Sequence, residues 1–137
     1  MTTTFEWKGD KVLAAMEQAK AKALLGAAVI VHGQAVELAA VDTGNLKNSL
    51  SWTTGGKVGG LNSVGGTPAS PGDGVNASQD EDTAYIGTNV EYAPHVEFGT
   101  SKAAAQPYLR PALDVMEADV KRYIREIIAD HLKGATK

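Results

Sequence analysis

Apolar side chains return every three or four positions from Asp10 to Ala40, at Leu13, Met16, Ala19, Ala23, Ala27, Ile30 and Leu38. That is the period of an α-helix, and Asp10 stands where an N-cap is expected. At about 1.5 Å per residue such a helix reaches roughly 46 Å, against about 30 Å for the diameter of a small domain. It must therefore bend, at Gly26 or Gly33, or overhang the body. An overhanging helix rich in alanine, with Val29, Ile30 and Val31 spread around it, needs a neighbour to cover it.

The period then changes. Val41 to Leu46 reads as a turn, because Asp42 and Thr43 bond nearby backbone and Gly44 permits a positive φ. A strand is expected next, begun by Asn45 and Leu46, with Leu46, Leu50 and Trp52 on one face and Ser49, Ser51 and Thr53 on the other. A second strand is expected where Ala84, Ile86, Thr88 and Val90 alternate with Tyr85, Gly87 and Asn89. Tyr92 to Thr100 predicts one helical turn, with Pro94 near its start and Gly99 as its stop. After a polar linker, Ser101 to Gln106, a last helix opens at Pro107 or Pro111 and runs to about Lys133. Its apolar stripe is Leu109, Leu113, Met116, Val120, Tyr123, Ile127 and Ile128, a core-facing pattern. Glu117 with Lys121, and Arg122 with Glu126, have the spacing of exposed ion pairs. The predicted class is α+β: a long N-terminal helix, a small antiparallel sheet with a long flexible hairpin loop, a short helical turn and a C-terminal amphipathic helix packed on the sheet. The whole of 1–137 reads as one domain.

Composition sharpens the loop. Of 15 glycines, eight fall between Gly55 and Asp82, a stretch with one basic and four acidic residues. Since the chain holds 13 basic and 16 acidic residues, 12 of each remain elsewhere. The body is neutral, and the whole net charge of −3 belongs to this insert. Such a composition, without aromatics, favours disorder, and connections longer than about 12–15 residues are usually functional or disordered. Residues 55–82, through Gly55, Leu61, Pro68, Pro71, Asp73, Asp80, Glu81 and Asp82, are accordingly expected to form a docking loop. It would order on meeting a partner.

Candidate chemistry is sparse. With no cysteine, disulfides, thiolate metal sites and cysteine nucleophiles are excluded. An isoelectric point near 5.5 offers no positive field for phosphates. The longest purely apolar run is Ala27 to Val31, far short of the roughly 20 residues of a span. Met1 to Trp7 lacks the regions of a signal peptide, so synthesis and folding in a cytoplasm are expected. Asp42-Thr43-Gly44 is the tripeptide of aspartic proteases, and a single copy would require a homodimer to supply two carboxylates. That tripeptide belongs at the end of an apolar strand in an all-β fold, whereas here it follows a long helical pattern. His32, His95 and His131 lack zinc-helix spacing, and the insert lacks the Gly-Lys-Ser/Thr ending of a phosphate loop. No catalytic, cofactor or metal site is predicted.

Three blocks in order carry a resemblance: Ala40-Val41-Asp42-Thr43-Gly44-Asn45-Leu46-Lys47-Asn48-Ser49-Leu50, then Tyr92-Ala93-Pro94-His95-Val96-Glu97-Phe98-Gly99-Thr100, then Gln106-Pro107-Tyr108-Leu109-Arg110-Pro111-Ala112. Together they resemble the head-tail joining or tail-completion proteins of long-tailed phages, collinearly from about Lys11 to Ile128. The chain departs from that pattern at Ala40, where proline is common, at Leu50, where isoleucine is usual, and in its long insert. The resemblance implies a non-enzymatic virion subunit, made in the bacterial host, that forms a six-fold homo-oligomeric ring at the head-tail junction. Its implied neighbours are a head connector or stopper protein on one side and a tail terminator or tail-tube protein on the other. DNA passes through without sequence-specific binding, and no membrane is involved. Within the blocks, Asp42, Thr43 and Gly44 are expected to fix the exit from the first helix. Glu97, Phe98, Gly99 and Thr100 are expected to set a tight reversal, with Phe98 as a packing anchor.

Overall fold

A computed structural model describes residues 3–4, 6–39, 45–61 and 71–135. The elements in order are α1 (Gly9–Leu38), α2 (Asn45–Ser49), β1 (Ser51–Thr54), β2 (Lys57–Gly59), a 3-10 turn (Pro71–Asp73), β3 (Tyr85–Gly87), α3 (Ala93–Phe98) and α4 (Leu109–Ala135). The class is α+β. Asp42, Thr43 and Gly44, with Pro68, lie outside the described residues.

The 30 residues of α1 form one uninterrupted helix, about 45 Å long, so the helix overhangs. Lys8, without a side-chain cap bond, takes the N-cap position. Asp10 sits inside the first turn instead, where its charge still suits the helix dipole. α4 runs back antiparallel along α1. Gly26 of α1 lies directly beneath the Tyr123 ring of α4, where any Cβ would collide, so this glycine sets the helix separation. The length and composition of α1 would also suit a membrane span, with a mean hydropathy of 1.3 over its most apolar window, yet only 22% of that window is buried.

Asn45 and Leu46 do not begin the sheet. They open α2, and the one-turn helix places Leu46 and Leu50 on the same side, both fully enclosed. A strand through Leu46 would also have aligned them, which is why alternation misled here. The sheet is antiparallel throughout, in the order β2-β1-β3. Gly55 and Gly56, at φ 53° and 81°, make the two-residue turn between β1 and β2 that only residues tolerant of positive φ supply. β2 thus occupies part of the stretch expected as loop. Trp52 lies over its cross-strand partner Gly59.

The core joins Val31, Ala35 and Ala39 of the α1 end to Leu46, Leu50, Ala93, Tyr108 and Ala112. α4 packs mainly along α1 rather than on the sheet. Its stripe is half-buried at Met116, Val120, Tyr123, Ile127 and Ile128, whereas Leu113 is 51% exposed. Glu117 and Lys121 pair at 2.9 Å as expected, while Arg122 pairs with Asp119 rather than Glu126.

Candidate functional site

The second and third sequence blocks meet in one knot. Tyr92 caps α3, its carbonyl accepting the amides of His95 and Val96. After six helical residues the helix stops at Gly99, whose φ of 77° suits glycine and whose Cβ would stand 2.7 Å from the Ala105 amide nitrogen. Thr100 closes the following loop: its amide donates to the Ala103 carbonyl, and its Oγ1 accepts from Lys102 and Ala103. The chain returns with the Gln106 amide donating to the Val96 carbonyl, and Pro107 then leads into α4.

Glu97 ties the knot. Its carboxylate, buried to 9% exposure, accepts the Tyr108 amide at 2.8 Å, the Leu109 amide at 3.1 Å and the Arg110 amide at 3.1 Å. The start of a helix leaves donors with no partner inside it, and a negative charge there is favoured by the dipole. Pro111, the next residue, has no amide hydrogen to satisfy. One glutamate from α3 therefore serves the donors opening α4. Tyr108, beneath it and 1% exposed, directs its hydroxyl to the Ala93 carbonyl at 3.4 Å. Burial first, then the charge of Glu97 and the nearby Tyr92, push the Tyr108 phenol up to about 12.

Phe98 is not a packing anchor: it is 81% exposed. The turn that buries Glu97 sends the next side chain outward. Phe98 lines a mainly apolar groove of about 660 Å³ together with Tyr85 of β3, Pro94 of α3, Leu109 and Leu113 of α4 and the buried Val31 of α1, with Glu97 and Arg110 as its charged members.

The described part of the insert is bound to the body. The Val75 amide donates to Ser51 Oγ at 2.7 Å and the Ser78 amide to Thr53 Oγ1 at 2.9 Å. The Gly55 and Gly56 amides donate to the carbonyls of Asp80 and Ser78, and the Asn89 amide to that of Asp73. Ser51 and Thr53 are completely buried as a result. Asp82 forms a 2.7 Å ion pair with Lys20 of α1, which also meets Glu17 at 3.1 Å. These hydrogen bonds, Asp82 foremost, raise the Lys20 pKa. Glu81 lines the adjoining hollow, and Leu61 is 41% exposed.

His32 donates Nε2–H to the Leu50 carbonyl at 2.9 Å, as the carbonyl can only accept. His131 bonds the Ile127 carbonyl through Nδ1, and His95 is exposed on α3. Among the described residues no group of three or more metal-binding side chains converges. Sequence reasoning missed the capping role of Glu97 and the burial of Tyr108. The readable signal was the proline at the third position of α4, which halts the run of amides needing an acceptor.

The family model described as "Bacteriophage HK97-gp10, putative tail-component" matches residues 5–99. The match covers the first block and the second as far as Gly99, so the third block lies beyond it. No curated protein and no solved structure matches the chain.

Proposed function

The chain belongs to the HK97-gp10-like family of bacteriophage tail components, a structural virion protein, and from that premise we propose that it forms a six-fold ring at the head-tail junction. There it joins the head connector or stopper to the tail terminator or tail tube and leaves a passage for DNA. The observation that carries this reading is the apolar surface that α1 leaves exposed along its length, at Leu13, Met16, Val29 and Leu38. Surface of that kind marks protein contacts. A ring closes through head-to-tail contacts repeated by rotation, and a body with balanced charge offers little repulsion against them.

In the same reading residues 55–82 meet the neighbouring ring, with Asp82 held against the body by its pair with Lys20 and Asp80 by its carbonyl's bond from the Gly55 amide. Like charge facing the passage would keep DNA phosphates from adhering. The aspartic-protease alternative gains no support, because the described elements form an α+β fold rather than an all-β one. The test is deletion of the gene from the phage followed by electron microscopy of the lysate. DNA-filled heads separated from complete tails, joined again on complementation and labelled by antibody at the neck, are expected. Normally joined particles, or label along the tail shaft or tip, would overturn the neck assignment.

A further inference from the structure

Residues 73–82 run as a strap along the face of β1 that carries the Ser51 and Thr53 hydroxyls. The strap is tied along its whole length. At its start the Asp73 carbonyl accepts the Asn89 amide at 2.7 Å, and the Gly74 carbonyl accepts Asn89 Nδ2 at 2.7 Å. In its middle the Val75 and Ser78 amides donate to the two hydroxyls, and the Ser78 carbonyl accepts the Gly56 amide. At its end the Asp80 carbonyl accepts the Gly55 amide, and the Asp82 carboxylate meets Lys20 of α1. Every one of these ties is polar. Within 73–82 the single buried position is Gly74, which has no side chain, and no residue of the strap belongs to the hydrophobic core or packs against it.

A segment held in this way can leave without exposing core side chains, because each bond it gives up is replaced by one to water. Regions with few buried apolar contacts open well below the free energy of global unfolding. The ties are also linked to one another. Ser78 uses its amide on Thr53, its carbonyl on Gly56 and its hydroxyl on the Asp80 amide, and the Asp80 carboxylate in turn accepts the Asp82 amide. Movement at Asp82 is therefore passed back to Ser78. We propose that 73–82 is a releasable strap, which leaves an intact body as one unit and has the Lys20–Asp82 pair as its clasp. Open, it frees the acidic run Asp80-Glu81-Asp82 from α1. This rests on the docking role given above to residues 55–82 for the purpose of the opening, and adds that the insert is held shut in the isolated subunit.

Hydrogen exchange of the purified full chain, followed by NMR at each amide, tests the strap with no partner present. The amides of Gly55, Gly56, Val75, Ser78 and Asn89 are expected to share one protection factor, about tenfold or more below that of Ala35 in α1. Lys20→Met removes the charge of the clasp and keeps the apolar stem. It should speed all five alike by about two- to fivefold, the range of an exposed ion pair, and Asp82→Asn should do the same from the other side. Ser51→Ala should speed Gly55 and Gly56 by the same factor as Val75, although their own bonds go to the far end of the strap. Five unrelated rates, or a Ser51→Ala effect confined to Val75, would show ties that break one at a time and overturn the proposal. Protection of all five equal to that of Ala35, or an acceleration that reaches Ala35 in both clasp variants, would also overturn it, since the strap would then leave only when the chain unfolds. These rates belong to the isolated subunit, whereas the neck reading is decided on particles in the microscope, so either can fail alone.

Discussion

At the scale of single residues, Glu97 holds the opening of α4. Three amides at the opening of a 27-residue helix converge on one carboxylate. Replacing it with alanine leaves buried donors without an acceptor, and Glu97→Ala is expected to cost about 2–3 kcal/mol. Glu97→Gln should recover only part, since an amide retains one acceptor oxygen and lacks the charge. Chemical denaturation of the three proteins checks both values. Tyr108 adds a pH dependence with a defined sign. Its phenol is raised from 10.0 to about 12 in the folded chain, so above pH 10 the unfolded chain sheds a proton that the folded chain retains. Stability is complete below pH 10 and falls as pH rises toward 12, by on the order of 2 kcal/mol. Thermal melts from pH 8 to 12 should show this decline, and Tyr108→Phe should flatten it. A parent and variant with the same alkaline slope would contradict the assignment.

Among the elements, the long helices were legible because their period runs for many residues: Leu13 to Leu38 and Leu109 to Ile128 give many repeats against which chance is weak. The helical turn before Gly99 was legible for a different reason, the paired signals of Pro94 and Gly99. Short elements were not, because five residues such as Asn45 to Ser49 hold too few positions to separate a helix turn from a strand. The Gly55-Gly56 turn was hidden by the glycine-rich stretch around it, where the same residue type otherwise suggests disorder. Phe98 failed as an anchor because the sequence shows that an aromatic is present and not which way a six-residue helix turns it. The insert shows the same limit. Its tie to the sheet uses backbone amides of Val75 and Ser78 and hydroxyls more than twenty positions earlier, a pairing without a local pattern. Those two amides are expected to be protected in hydrogen exchange. In Ser51→Ala the Val75 amide should exchange about fivefold faster, the effect of losing a bond worth about 1 kcal/mol, while α1 amides keep their rates. Equal exchange at Val75 in both proteins would show that the hydroxyl does not hold this segment.

Over the whole molecule, stability and assembly draw on different parts of α1. Its C-terminal half contributes Val31, Ala35 and Ala39 to the core, while Leu13 and Met16 keep 64% and 49% of their surface in water. Covering such side chains in a neighbour yields about 25 cal/mol per Å² of apolar surface removed from water, and that gain exists only between copies. Binding that favours the folded state raises apparent stability with concentration. The melting temperature of the parent should therefore climb as protein concentration increases. Leu13→Glu combined with Met16→Glu should melt at the dilute-parent temperature at every concentration, because it removes the contact and leaves the core intact. Calorimetry over a wide range of concentration distinguishes the two curves. A parent curve that stays flat would mean that the overhang meets no second copy in solution. A variant that melts lower than the dilute parent would mean that Leu13 and Met16 support the monomer, and the division of labour along α1 would have to be redrawn.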